Sequence, residues 1–315
     1  IRFCDDMFVN ELGISPHEII YVENPWSGGG NAGPAVEVIV GGLELATLVF
    51  MNLEEHPDGE YEIKGDRYRE MDLQIIDTGY GLERFCWAAA GTPTIYEAIY
   101  PETISWLKDL SNFNLILEEH SDLDVNLILS EISKLSGILN IDVGTDAESL
   151  YDILTDRLNE KGYDIDLESL KKLTTPLGAI YAIPDHLHAL CNMLGDLLIP
   201  SNVKAGYLAR MMARKTLKLI DDLGISITLP ELASHHIETY LEVSKLLQTK
   251  ERILEILELE EKRYREMLQK GEAAVNTALK EVPKDSESLD DEVLFMLAES
   301  RGLQPEMVIE IANRL

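Results

Sequence analysis

Apolar and polar residues change rhythm once along the chain. Over the first hundred positions short β-rich runs alternate with glycine and polar breaks, and from about Pro101 onward apolar residues recur three and four apart. "EIIYVEN" predicts a short strand at 18–24, followed by "PWSGGGNAGP", a glycine-rich stretch read as a loop without regular structure. "AVEVIVGGLELATLVFMNL" then gives two β-rich runs joined by Gly41-Gly42, a hairpin signal because the tight primed turn needs positive φ at both central residues. A two-residue loop puts Val36, Val38 and Val40 on one face with Leu43, Leu45 and Thr47, and puts Glu37, Ala46, Leu48, Phe50 and Asn52 on the other. After a polar loop, "EEHPDGEYEIKGDRYRE", "MDLQII" reads as a strand, "DTGYG" as a corner and "GLERFCWAAAG" as a helix.

Beyond Pro101 the pattern is helical. "PETISWLKDLSNF" opens one helix, residues 118–173 alternate helix-like runs with polar breaks, and "AIPDHLHALCNMLGDLL" forms another helix that ends at "IPSN". Ser201 and Asn202 stand where an N-cap belongs, ahead of "KAGYLARMMARKTLK". The longest periodic run, about 240–282, carries Leu246, Ile253, Leu257, Tyr264, Leu268, Val275 and Leu279 at helical spacing, and two short helices are predicted after it. The fold class is therefore α+β: an antiparallel sheet over residues 1–100 and a mostly helical domain over 101–315.

Composition narrows the chemistry. The 315 residues suffice for two domains. Cys4, Cys86 and Cys191 are far apart, which fits a reducing compartment, with the cytoplasm as the default, and offers neither a disulfide framework nor a metal motif. No run is long and apolar enough for a membrane span, and the opening residues lack an export leader. They read as the middle of a domain, and the missing initiator Met fits a piece of a longer chain.

Against 57 acids and 27 bases, for a net charge of -30, the stretch 204–218 holds Lys204, Arg210, Arg214, Lys215 and Lys218 and no acid. That inversion marks either a phosphate-binding face or a solvated amphipathic helix. His186 and His188, two apart, point to different faces of a helix, which favours a buried Asp185–His hydrogen bond over a shared metal ion. At the "DTGYGLER" corner, Gly79 and Gly81 permit close approach, the following helix start presents free N–H groups, Arg84 offers a fork for phosphate and Asp77 a carboxylate for an ammonium group. The alternative is a plain glycine turn into a surface helix.

Together these blocks resemble the alanyl-tRNA synthetases, in their archaeal form. "WSGGGNAGPAVEV" with "GLELATLVFMN" is similar to the active-site sheet of that family, "DTGYGLER" to motif 3 of the class II synthetases, "AIPDHLHAL" through "IPSNVKAGYLARMMARK" to the start of its tRNA-recognition domain and "LAESRGLQPEMV" to its closing segment. The resemblance implies ATP-dependent activation of alanine, with Mg²⁺, and transfer to tRNA(Ala). It implies that Arg84 holds ATP phosphates, that Asp77 binds the alanine ammonium, that Gly79, Gly81 and Trp26 shape the alanine pocket, and that Thr47 contacts adenosine. In the uninterrupted register Thr47 and Glu37 lie on opposite faces, so unless a bulge intervenes only one of them looks into the site, and Thr47 is the one favoured.

For tRNA it implies that Asn202 contacts the acceptor-stem G·U wobble pair, with Tyr207, Arg210 and Arg214 on the basic helix beside it. Ala298-Glu299 stands where the family carries an Asp as second reader, so Glu299 takes that place. "LGDLLIPSN" lacks the Asp-Gly that commonly precedes Pro-Ser-Asn, and Pro184 precedes Asp185 where a helix-compatible residue is usual. Motifs 1 and 2, a zinc-bearing editing domain and the oligomerisation region find no counterpart in the 315 residues, so no metal site is expected and isolated turnover is not. A synthetase-like paralogue and a non-catalytic helical scaffold remain the two rival readings.

Overall fold

The computed structural model describes residues 1–120, 123–136, 147–240 and 246–281, together with Leu294, Leu297, Val308, Ile311 and Ala312. The chain divides into two compact units: Ile1–Pro101 with His120–Leu170, and Glu102–Glu119 with Lys171–Leu315.

The first unit is built on a seven-stranded antiparallel sheet. A short helix α1 (Arg2–Asp6) runs into a π-helical turn (Met7–Glu11), followed by β1 (Ile19–Glu23), β2 (Trp26–Gly28), β3 (Asn31–Gly33), β4 (Ala35–Val40), β5 (Leu43–Glu55), β6 (Tyr61–Ile63) and β7 (Asp66–Tyr80). The spatial order is β1-β4-β5-β3-β2, with β7 also on β5 and β6 on β7. Two stretches expected as loops are paired strands instead. Gly29 and Gly30, at φ 59° and 83°, close a β2–β3 hairpin inside "WSGGGNAG". Lys64 and Gly65, at φ 52° and 93°, do the same between β6 and β7. Both turns use the left-handed region that primed hairpin turns require. β7 also runs through Asp77 to Tyr80, so the corner begins at Gly81 and not at Asp77.

The predicted β4–β5 hairpin forms, with Gly41 and Gly42 at φ 60° and 87°. Its register differs from the uninterrupted one. Val40 faces Leu43 and Ile39 faces Glu44, but Val38 faces Ala46 and Glu37 faces Thr47, because a bulge falls between Val38 and Ile39. One extra residue on β5 reverses the parity beyond it, so Glu37 and Thr47 share a face and Val38, Ala46 and Leu48 share the other. Cys4 and Phe8 bury the latter face with Val38, Leu45, Ala46 and Leu48, and Phe85 of α2 (Leu82–Ala90) joins them. Gly91, left-handed at φ 65°, ends α2 as a glycine C-cap. The unit continues with α3 (Ile95–Ile99).

α4 (Pro101–Leu110) and α5 (Phe113–Glu119) lie largely in the second unit. α6 (Val125–Ser136) and α7 (Ala147–Glu160) belong to the first, where buried Glu131 accepts hydrogen bonds from Lys134 at 2.7 Å and from Lys161, which hold its carboxyl below the usual range. α8 (Leu167–Gly195) runs on through Pro176 and Pro184 and crosses from one unit to the other.

In the second unit α9 (Lys204–Asp222) and α10 (Leu229–Tyr240) both pack on the 36-residue α11 (Leu246–Glu281). α9 buries Gly206, Ala209, Ala213, Leu217 and Ile220 along one stripe, and α11 buries Ile253, Leu257 and Tyr264. Leu294, Leu297, Val308 and Ile311 are helical, and the last three cluster with Val275. No helix among the described residues is long and apolar enough to cross a membrane.

Candidate functional site

One face of the sheet around Thr47 carries several of the candidate residues. On it, Glu37 and Gly79 both pair with Thr47, and Asp77 pairs with Val49. Trp26 packs against Ala35 and Val49 on the same side, with Met51 beside them. The structure therefore brings Asp77, Thr47, Gly79 and Trp26 together, and adds Glu37, which the uninterrupted register had turned away. Asn24 Nδ2 donates to Glu37 Oε1 at 2.7 Å.

A Cβ on Gly79 would meet nothing within 4 Å, so a side chain there would project into the open face where a ligand would lie. A Cβ on Gly28 would lie 2.8 Å from Trp26 Cζ2, so the indole rests over the glycine backbone. Gly81 has a different neighbour from the one expected. Its Cβ would lie 3.0 Å from Arg84 Cδ, so glycine there lets Arg84 fold back over the start of α2.

Arg84 Nη1 donates to the Glu44 carbonyl at 2.9 Å and lies 3.3 Å from Glu44 Oε2, while Thr47 Oγ1 donates to Glu44 Oε1 at 2.6 Å. Glu44 thus ties two candidate residues together, and only the bulge that brings it onto Thr47's face reveals it. At the edge of the opposite face, Tyr80 bonds the Cys4 thiol, and burial pushes its hydroxyl above the ordinary phenol range. Among the described residues no three His, Cys, Asp or Glu side chains are grouped to hold a metal ion.

The second candidate surface lies in the second unit, before α9. Val203 occupies the N-cap, not Ser201 or Asn202. Ser201 instead folds the turn: its N–H donates to the Gly206 carbonyl at 2.9 Å and its hydroxyl to the Val203 carbonyl at 3.1 Å. Asn202 and Tyr207 are exposed.

The basic run is less free than its charge implies. Arg210 Nε donates to Glu260 Oε1 at 2.9 Å, and Arg214 Nε lies 3.4 Å from the same oxygen without hydrogen-bond alignment. Glu260, 1% exposed on α11, sits in the buried stripe between Leu257 and Tyr264. Lys218 pairs with Asp222 at 2.9 Å, which leaves Lys204 and Lys215 as the exposed cations of the run.

The expected Asp185–His bond is replaced. Asp185 is exposed, His186 Nδ1 lies 3.5 Å from Thr216 Oγ1, and His188 Nδ1 lies 3.3 Å from His236 Nε2. Burial holds the His186 pKa below its ordinary value. Glu299 lies outside the described residues.

Comparison with known proteins decides the family. The model of the class II (A) tRNA synthetases matches residues 1–315. The chain belongs to that family. Similar curated proteins include an alanine–tRNA ligase of Halorubrum lacusprofundi, 44% identical over 314 residues that cover 99% of this chain and 32% of the relative. Another is an alanine–tRNA ligase of Archaeoglobus fulgidus, 43% identical over 313 residues, covering 99% and 33%. A third, from Methanothrix thermoacetophila, is 44% identical over 315 residues, covering 100% and 33%. This synthetase chain thus spans about a third of the length of the relatives it matches.

Proposed function

We propose that this chain supplies part of the amino-acid-activating site and the acceptor-stem surface of a cytoplasmic alanine–tRNA ligase. In that reaction an alanine carboxylate oxygen attacks the α-phosphorus of ATP and pyrophosphate leaves. A terminal ribose hydroxyl of tRNA(Ala) then attacks the carbonyl carbon and AMP leaves. The observation that carries the reading is the shared open face: Asp77, Thr47 and Gly79 in register, Trp26 beside them and Arg84 in the first turn of the helix that follows the same strand.

Asp77 supplies the carboxylate for the alanine ammonium, and Trp26 with the open Gly79 backbone shapes a small apolar pocket. Arg84 directs its guanidinium to phosphate, beside the N–H groups of the α2 start. Thr47 and Glu37 face the nucleoside. These groups act by positioning and charge neutralisation, since no acid–base step in the first half-reaction needs more. Mg²⁺, where it accompanies ATP, would add to the neutralisation of the phosphate charge. Residues 1–100 carry the catalytic part in this reading and 101–315 the tRNA-recognition part, with Asn202, Tyr207 and Glu299 at the RNA surface and Arg210 and Arg214 behind it.

The test is binding of a non-hydrolysable alanyl-adenylate analogue to this chain, measured by calorimetry. Asp77→Asn keeps the strand and removes the ammonium partner, so affinity is expected to fall by about tenfold or more, the size of one charge-assisted hydrogen bond. Equal affinity for wild type and Asp77→Asn would overturn the assignment of Asp77. A wild-type acceptor-stem minihelix that binds no better than one with the wobble pair replaced by G·C would favour the paralogue.

A further inference from the structure

We infer that Glu260 is a positioning residue that, through Arg210, fixes which end of the Asn202 amide faces the RNA; this rests on the reading of Asn202 as an acceptor-stem contact. Arg210 stands between two partners. Its Nε and Nη2 hold the two Glu260 oxygens at 2.9 and 3.4 Å, its Nη1 donates to Asn202 Oδ1, and its Nη2 also lies 3.3 Å from the Pro200 carbonyl.

A guanidinium carries donors only, so the Asn202 atom against it must be the carbonyl oxygen. The planar amide then turns Nδ2, its donor, away from Arg210. Asn202 is exposed, so the group offered outward is an N–H pair suited to an acceptor on a base-pair edge.

Among the described residues, Arg210 is the only side chain hydrogen-bonded to the Asn202 amide. An exposed asparagine flips freely, and an arginine with freedom of its own would follow it. Here the arginine is held from behind. Glu260 is 1% exposed and the Arg210 side chain 14%, and Arg214 and Arg263 Nη1, the latter 3.7 Å from Glu260 Oε2, complete the charge around one buried carboxylate. Removing Glu260 would free the guanidinium to rotate, and both amide orientations would become populated. Discrimination between base pairs would then fall more than affinity does, because a flipped Asn202 offers an acceptor where the preferred pair also has one.

The experiment compares binding of two acceptor-stem minihelices, one with the G·U wobble pair and one with G·C, to the wild-type chain and to Glu260→Gln and Asn202→Asp, with circular dichroism as the check on folding. Wild type is expected to prefer the wobble stem. Glu260→Gln is expected to reduce that preference by about tenfold while changing affinity for the G·C stem little. Asn202→Asp, at an exposed position, keeps the Arg210 contact but replaces the outward donor by an acceptor, and is expected to abolish the preference.

A structural role alone would weaken both stems equally. A folded Glu260→Gln that keeps the wild-type ratio overturns the positioning role. Should that variant unfold, Arg210→Lys, which cannot bridge both partners, is measured in its place, and Asn202→Asp with an undiminished preference overturns the orientation by itself. If wild type shows no preference, the acceptor-stem reading fails first, and the inference with it.

Discussion

Acidification should destabilise the helical unit through one histidine. His236 on α10 is fully buried, with His188 Nδ1 3.3 Å from its Nε2, the Tyr240 ring centroid 5.2 Å away and His235 next in sequence. Burial, then the neighbouring His188 and His235, push its pKa from 6.5 down to about 3. The unfolded chain takes up a proton near pH 6.5 whereas the folded chain resists until about pH 3. The stability this neutral histidine provides is therefore fully present above the unfolded value and is lost as pH falls from about 6.5 towards 3. At pH 5 the linkage amounts to about 2 kcal/mol.

The assay is urea unfolding at pH 7 and pH 5, followed by Trp106, whose ring centroid lies 4.4 Å from that of His235, after Trp26 and Trp87 are replaced by Phe. His236→Gln is expected to be less stable at pH 7 but to lose about 2 kcal/mol less than the parent between the two pH values. An equal acid loss in both proteins would refute the reasoning, since it would assign the pH dependence to other groups.

Three further outcomes follow from close approaches and exposure. Gly33→Ala would place a Cβ 2.1 Å from the Phe50 carbonyl oxygen and 2.9 Å from Met51 Cα, so thermal unfolding should show a loss of about 2 kcal/mol or more, and an unchanged Tm would contradict the β3–β5 contact. Gly206→Ala would meet the Ile199 carbonyl at 2.6 Å and Ser201 Oγ at 2.2 Å, opening the turn that carries Asn202. Minihelix affinity should fall while the far-ultraviolet helical signal stays within error. Arg84→Ala removes a side chain that is 45% exposed, so stability should move by no more than about 0.5 kcal/mol, whereas the ATP-dependent thermal shift should disappear; a retained shift would remove Arg84 from the phosphate site.

Much of the fold was legible because its signals are local. Gly41-Gly42 announced a hairpin, the long apolar stripe announced α11, and "GLERFCWAAAG" announced a helix closed by Gly91. The misreadings have equally local causes. "WSGGGNAG" and "KGDRYRE" looked like loops because glycines and polar residues dominate them, yet each supplies a primed turn with strand on one or both sides. In the candidate sites, Asp77, Arg84, Thr47 and Asn202 were nameable from the resemblance. Glu37 was weighed against Thr47 and set aside by the uninterrupted register, and Glu44 and Glu260 were not foreseen at all. Glu260 did leave a trace, an acid at a stripe position between Leu257 and Tyr264, but an acid there has no partner until another helix is brought alongside.

The sequence by itself determined the Gly41-Gly42 hairpin and the helices α2 and α11, because turn propensity and side-chain period act over a few residues. Only the tertiary structure decided which side chains share a surface. One bulged residue in β5 reversed the parity of the hairpin and joined Glu37 to Thr47 and Gly79, because side chains alternate faces with a period of two. The packing of α9 on α11 turned two arginines of an apparently free basic run inward to a buried carboxylate, because such a charge must be paired when another helix takes it out of water.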